Sequence, residues 1–325
     1  MALVATVFGG SGFVGRSIVQ TLASRGWRIR VAVRRPRQAR DLQPLGTVGQ
    51  ITAIAAKVQD PVSVRAAVDG ADLIVNLTGL LYESGDQSFE AVHVEGAAGV
   101  ASAAKEAGAG RLIHMSALGA DASAAPAYAR TKGRGEAAVR EVFPEAAILR
   151  PSIVFGPDDD FFNRFARMAL ISPALPLIGG GTARFQPVYV GDLAESVAAI
   201  LVSRKSFGQT YELAGPEIFS FRQLLEIMLE EIGRKRILLP LSYDFAGFIG
   251  GAAETACGLA ASIGLPVAPP LTRDQVAMLR RDNVASGKLP GLKDLGIEAT
   301  ALGTILPTYM DCYRVGGRYM KPKQI

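Results

Sequence analysis

The stretch that most restricts this chain is Gly9-Gly10-Ser11-Gly12-Phe13-Val14-Gly15. An apolar run, Leu3 to Phe8, precedes it, and apolar residues at helical spacing, Ile18, Val19 and Leu22, follow it. That order predicts a strand, a glycine-rich turn and a helix. Gly9 lets the chain turn tightly at the strand end. Gly12 removes a side chain where a pyrophosphate would approach the backbone, and Gly15 lets the helix pack closely on its strand. The helix start adds free N–H groups and a positive dipole end, both suited to an anion. Glycine-rich turns are common, but one between an opening strand and a helix predicts dinucleotide binding by residues Gly9, Gly10, Ser11, Gly12, Phe13, Val14 and Gly15. A tight turn in a sheet protein without a ligand is the plainer alternative.

Strand candidates at 3–8, 28–33, 51–55, 72–77, 111–115 and 146–150 alternate with helical periodicity at 12–25, 61–69, 88–108 and 127–142. Such alternation implies a parallel sheet with helices on both faces. Right-handed crossovers then place a ligand at the carboxyl ends of the strands. Asp60-Pro61 reads as an N-cap followed by proline at the first helical position. Beyond 151 the pattern loosens, with breaks at Gly156-Pro157 and Gly179-Gly180-Gly181. A strand–turn–helix near Val188 to Asp192, a strand at 210–214 and a helix from Ser220 follow. The expected fold is α/β: a Rossmann-type doubly wound parallel sheet with a smaller, mostly helical C-terminal region. Residues 1–155 form the nucleotide-binding domain, with 185–215 returning to it, and 156–325 the smaller partner or substrate region.

Arg34-Arg35 ends the second strand, where an acidic residue would accept hydrogen bonds from the adenosine ribose of NAD. Two guanidiniums there suit a 2′-phosphate instead, which favours NADPH or NADP. The plainer reading leaves one or both arginines in water. The formal net charge of +5 is scattered and contains no long Lys/Arg block, so no nucleic-acid partner is expected. Phosphate ligands, an anionic membrane face or an acidic protein remain open. Cys257 and Cys312 form no disulfide framework and match no zinc spacing, which fits a reducing compartment. The first residues already read as strand, so no signal or transit peptide is expected ahead of the fold.

Tyr128-Ala-Arg-Thr-Lys132 opens the helix after the fifth strand, which places Tyr128 and Lys132 one turn apart on one face. The spacing arises easily by chance; the location carries more. A lysine there can bind the nicotinamide ribose and lower the tyrosine pKa, and Ser116 at the strand end can support it. Asp158-Asp159-Asp160 reads as a solvated loop rather than a metal site, and His93 and His114 as structural histidines without ligand spacing. No metal is expected. Residues 245–265 carry one charge, Glu254, and are rich in Ala and Gly. Three readings are open for them: a buried helix pair, a helix at a membrane surface or against a membrane partner, and a bilayer span. The basic tail from Arg314 to Lys323 reads as mobile unless a partner orders it.

Gly9-x-x-Gly12-x-x-Gly15, Asn76-Leu-Thr78-Gly79, Met115-Ser116-Ala-Leu, Tyr128-x-x-x-Lys132 and Arg150-Pro151-Ser-Ile153-Val-Phe155-Gly156 occur in the order of the short-chain dehydrogenase/reductase family, which the first half resembles in its extended or atypical branch. A closer resemblance covers nearly the whole chain. The run from Arg150 to Asn163, Phe185-Gln-Pro-Val-Tyr-Val-Gly-Asp192, and the stretch from Asp274 to Val284 are similar to the nucleotide-binding accessory subunits of respiratory complex I, the NADH:ubiquinone oxidoreductase. That resemblance implies a tightly held NADPH without turnover, and no catalytic residue. It also implies a peripheral place near the membrane and the quinone region, with other complex I subunits, and lipid at the membrane surface, as partners. With no presequence, it implies a bacterial version at the cytoplasmic face of the inner membrane. Val58, Thr78, Gly79, Pro151 and Ile153 join the cofactor contacts by the same resemblance. Two departures stand out. The family's serine-rich element is shortened to Ser116-Ala117-Leu118-Gly119-Ala120, and the adenine-side aspartate after strand three is replaced near Lys57-Val58. The alternative is an active NADPH-dependent reductase or epimerase with Tyr128 as proton donor.

Overall fold

The computed structural model describes residues 2–262, 267–314 and 316–317. In chain order it contains β1 (Val4–Phe8), α1 (Phe13–Ser24), β2 (Arg28–Val33), β3 (Ile51–Ala55), α2 (Pro61–Val68), β4 (Leu73–Asn76), α3 (Gly96–Glu106), β5 (Arg111–Met115), α4 (Ala127–Val142) and β6 (Ala147–Pro151). Then come β7 (Val154–Phe155), α5 (Phe162–Ile171), β8 (Ala174–Ile178), β9 (Arg184–Phe185), β10 (Val188–Tyr189), α6 (Val190–Val202), β11 (Thr210–Leu213), β12 (Phe219–Ser220), α7 (Phe221–Glu231), β13 (Ile237–Leu241), α8 (Tyr243–Ser262), α9 (Arg273–Met278) and α10 (Leu302–Met310). The contacts divide the chain into two units.

The first unit takes residues 1–151, 190–213 and 286–298. Its sheet has seven strands in the order β11-β6-β5-β4-β1-β2-β3, and every pairing is parallel. The order reverses between β1 and β4, so the crevice at that switch point opens at the end of β1, where the glycine turn sits. Strand alternation sorts the faces. Phe8 and Ala32 join a buried cluster with Val64, Val68, Val100 and Ala104 of α2 and α3. Thr6, on the same face, is fully buried and donates its hydroxyl hydrogen to Ala67 O at 2.8 Å. α2 begins as Asp60-Pro61 predicts, with the Asp60 carboxylate accepting from the N–H groups of Val62 and Ser63.

One predicted helix, 88–108, is divided. A π-helical turn, Glu90–Glu95, runs into α3. There His93 O lies so close to α4 that a Cβ on Gly135 would fall 2.0 Å from it. Gly135 therefore permits a backbone contact between α4 and this turn that any side chain would prevent.

The second unit takes residues 152–189, 214–285 and 299–325. Its core is aromatic: Phe161 packs within 6.3 Å of Phe162, Phe165, Phe185 and Phe221, in edge-on or tilted pairs. Three two-stranded pairs, β7–β10, β8–β13 and β9–β12, frame it. α7 starts with a capping box between Ser220 and Gln223.

Two expectations change here. Asp158-Asp159-Asp160 is not a uniformly solvated loop, because Asp159 is buried. Its carboxylate accepts from Gly156 N, Phe162 N and Asn163 N, and from Tyr309 Oη at 2.5 Å. Among the described residues, no group of His, Cys, Asp or Glu could hold a metal ion. The buried helix pair read for residues 245–265 is not what their described part, 245–262, forms. As far as Ser262 they lie in one helix, α8, which leaves Phe245, Phe248 and Leu259 exposed. Only one narrow side is covered. Gly250 and Gly251 face Thr272 and Arg273 with no room for a Cβ. Among the described residues, no helix is long and apolar enough to cross a membrane. Residues 263–266 and most of the basic tail lie outside the described residues.

Burial raises the Asp159 pKa, and the Tyr309 hydroxyl and three N–H groups counter this. Tyr309→Phe removes one donor from a buried carboxylate, so it is expected to cost about 1–3 kcal/mol of stability. Urea unfolding of the full chain measures it. An unchanged midpoint would mean that Asp159 does not depend on this bond.

Candidate functional site

The turn between β1 and α1 is built as a cradle. Gly9 has φ +76°, which L side chains rarely adopt, and its carbonyl accepts from Gly12 N at 3.1 Å. Gly12 caps α1 with extended backbone, and no side chain caps the first turn. The first-turn N–H groups are those a helix leaves without an internal acceptor. A Cβ on Gly12 would meet only Gly9 O, at 3.4 Å, so the protein itself does not demand glycine there. A ligand pressed against the backbone would. Gly15 differs from the sequence expectation. Its missing Cβ makes room for Gly9 O at 2.4 Å and Gly10 Cα at 2.6 Å, so it packs on the turn rather than on the strand. Gly10 supplies the strand contact, facing Val7, Val31 and Val19 within 3.3 Å. The cradle residues Ser11, Phe13 and Val14 line up between these glycines at the helix start.

Arg34 and Arg35 follow β2, both exposed. Neither makes an ion pair or side-chain hydrogen bond with another described residue, and Arg34 lines a pocket of about 330 Å³. Val58 turns its side chain inward, against Gly96 and the core of α2 and α3, so it can offer a ligand little beyond its backbone.

Thr78 and Gly79 follow β4. Asn76 Oδ1 accepts from Thr78 N at 3.1 Å and from its hydroxyl at 2.5 Å. A Cβ on Gly79 would lie 3.1 Å from Lys132 Nζ. His93, read from the sequence as merely structural, fixes this loop. Leu80 N donates to His93 Nε2 at 2.9 Å, which leaves the proton on Nδ1 to donate to Thr131 Oγ1 at 3.0 Å. The Thr131 hydroxyl in turn donates to Ala127 O. The ring also stacks on Phe89 and meets Tyr128 edge-on at 5.5 Å. Burial, with Lys132 nearby, lowers the His93 pKa to about 3, so it is neutral. No spacing signal announced it, because its hydrogen-bond partners come from two other segments, the loop after β4 and α4.

Lys132 is 4% exposed and donates from Nζ to Met115 O at 3.1 Å. Burial lowers its pKa to about 8, opposed by Glu136 one turn on. It therefore keeps its charge near neutral pH, close enough to the buried histidines to oppose their protonation. Tyr128 stands one turn before it on α4. Ser116 is 4% exposed, and its Oγ, like His114 Nε2, has no hydrogen-bond partner among the described residues. An orphaned hydroxyl beside a desolvated ammonium fits a site completed by a polar ligand. Glu136 anchors the same helix by a two-pronged pair to Arg150, with Nε–Oε1 at 2.9 Å and Nη2–Oε2 at 2.6 Å. Pro151 ends β6, and its carbonyl accepts from Leu118 N. Ile153 belongs to the second unit, where its carbonyl accepts from Val188 N.

Burying the Lys132 ammonium costs the fold stability. Its folded pKa of about 8 lies below the unfolded 10.5, so the penalty is full below the folded value and gone above the unfolded one. Lys132→Met is expected to stabilise the ligand-free chain by about 1–3 kcal/mol near neutral pH, with the gain vanishing toward about pH 10.5. Urea unfolding across that range measures it. An equal gain at every pH would show that charge desolvation is not the cause.

A family model described as the NAD dependent epimerase/dehydratase family matches residues 5–214. The mitochondrial "NADH dehydrogenase [ubiquinone] 1 alpha subcomplex subunit 9" of Arabidopsis thaliana is 34% identical over 97% of this chain and 79% of its own length. Among solved structures, the dTDP-glucose 4,6-dehydratase DesIV of Streptomyces venezuelae, with NAD and TYD bound, superposes with TM-score 0.72 at 18% identity, covering 96% of this chain and 97% of its own. The triphenylmethane reductase of Citrobacter sp., complexed with NADP(H), gives TM-score 0.70 at 19% identity, covering 94% and 100%. At such identities the two structures show the fold alone. The chain belongs to the NAD dependent epimerase/dehydratase family, in the branch that contains this subunit of mitochondrial NADH dehydrogenase.

Proposed function

We propose that the chain is an accessory subunit of a bacterial respiratory complex I that holds NADP(H) without turning it over. The observation that carries this reading is the 34% identity to a complex I subunit across 97% of the chain. The glycine cradle would receive the pyrophosphate on backbone N–H groups at the α1 N-terminus. Arg34 and Arg35 would take the 2′-phosphate, which NAD lacks. Lys132 would hold the nicotinamide ribose, with Tyr128, Ser116, Thr78, Gly79 and Pro151 around that end, and Val58 would contribute its backbone near the adenine. A bound nicotinamide nucleotide supplies hydride chemistry in enzymes of this fold; here its role is to lock the first unit. Such binding stabilises the folded chain by roughly 4 kcal/mol at a thousandfold excess over Kd. Other subunits of the complex are its partners. The exposed face of α8 (Phe245, Phe248 and Leu259) would meet lipid at the cytoplasmic surface of the inner membrane, near the quinone site.

A second reading has its own support. Tyr128 and Lys132 stand one turn apart, and Ser116 carries an orphaned hydroxyl, a set able to pass a proton during hydride transfer. It describes a free reductase or epimerase.

Purification from native membranes separates the two. Co-migration with a large NADH:ubiquinone oxidoreductase, with NADP(H) identified by mass spectrometry, is the outcome expected; a soluble oligomer that oxidises NADPH favours the second. Arg34→Asp combined with Arg35→Ala should lose nucleotide and assembly together. A variant that assembles normally while empty would refute the locking role.

A further inference from the structure

Lys57 follows β3, and its ammonium finds a partner in a distant loop. Ala55, Ala56, Lys57, Asp60 and Ser63 line the same pocket as Arg34, and Asp86 and Gln87 complete it. Its volume, about 330 Å³, lies at the small end of the range for ligand sites. Lys57 Nζ pairs with the Asp86 carboxylate. Asp86 is at the tip of a tight hairpin, in which Ser84 and Gln87 exchange both backbone hydrogen bonds at 3.0 Å and Gly85 takes φ +57°.

Two features make this pair exchangeable. First, it is weak: the two side chains are 39% and 68% exposed, and water and salt screen such a pair. Second, the hairpin does not hang on it. Gln59 Nε2 donates to Asp86 O at 2.6 Å, and Gln87 Nε2 donates to Gln59 Oε1 at 2.5 Å. The carboxylate can leave Lys57 while the hairpin stays where it is. The other acid lining the pocket, Asp60, is committed to the N–H groups of Val62 and Ser63. Arg34 has no carboxylate partner among the described residues. The pocket thus holds one uncommitted guanidinium and one ammonium covered by a loosely held anion.

We propose that Lys57 is a second cation, beside Arg34, for a phosphate on the adenosine of the bound nucleotide, and that the Asp86 carboxylate is the stand-in which that phosphate displaces. This rests on the nucleotide reading above and adds a residue to its specificity. A phosphate carries more charge and more acceptor oxygens than the carboxylate it replaces. A nucleotide without it leaves the Lys57–Asp86 pair intact and gains nothing from Lys57. The ammonium therefore contributes only to NADP(H), and Asp86 acts as its competitor.

Binding of NADPH and of NADH to the full chain, followed by nucleotide fluorescence, tests this. Lys57→Gln is expected to weaken NADPH about tenfold and leave NADH within about twofold. Asp86→Asn, which keeps the hairpin's shape, is expected to strengthen NADPH about two- to threefold with NADH unchanged. Thermal melts of both variants confirm that they fold. A wild type that prefers NADPH, with a ratio unmoved by Lys57→Gln, overturns the role of Lys57 and spares the nucleotide reading. An Asp86→Asn variant that binds NADPH more weakly overturns the stand-in. A wild type that binds neither nucleotide overturns both readings together.

Discussion

The first unit depends on a close backbone contact within its own amino-terminal turn. Gly15 comes so near the carbonyl of Gly9 that no Cβ could stand between them, and Gly9 can make the turn because it takes a left-handed conformation. This contact sets where α1 starts relative to the end of β1, and hence where the N–H groups of its first turn are presented. Gly10 seats the same turn on Val7, Val31 and Val19. A substitution at any of these three would shift the helix start, and with it the geometry of the whole crevice. Gly12 is the exception: its side is open, so its reason for being glycine lies outside the chain.

Most of the architecture was legible in the residues. The strands announced themselves because a parallel sheet buried on both faces needs nearly continuous apolar runs, as Leu73 to Val75 show. Asp60-Pro61 marked a helix start because its chemistry is local: a carboxylate, two N–H groups and a fixed φ. The division of 88–108 was not legible. A π turn depends on what lies beside it, here a glycine on α4 some forty positions away. α8 failed for a related reason. Richness in Ala and Gly suggested burial, yet cover is confined to the side of Ala246, Gly250 and Gly251, and composition cannot tell a covered face from an exposed one.

The site was legible to the extent that its chemistry is sequential. Tyr128 and Lys132 share a helix, and Arg34-Arg35 a strand end, so spacing revealed them. His93 and Asp86 were invisible because each acts on residues that only the fold brings near: His93 on the loop after β4, Asp86 on Lys57 after β3. Gly15 was identified for the right reason, close approach, but assigned the wrong neighbour, since the residue pattern does not say which surface a helix start touches.

Lys132 connects these parts. The chain buries its ammonium beside two neutral histidines and leaves a serine hydroxyl and an imidazole nitrogen without partners among the described residues. Each choice costs stability in the empty fold. A purely structural α4 could carry Met at 132, and the end of β5 Ala at 116, with less penalty. Negative charge or hydrogen-bonding groups brought to this place would offset the cost, and a ribose–phosphate ligand carries both. Under the proposed function, the ligand that compensates these buried groups is also the one the glycine cradle grips, so stability and occupancy become one quantity. On that reading a chain of this design would forgo catalysis and still need its cofactor, because the nucleotide would complete a core that the side chains leave unfinished.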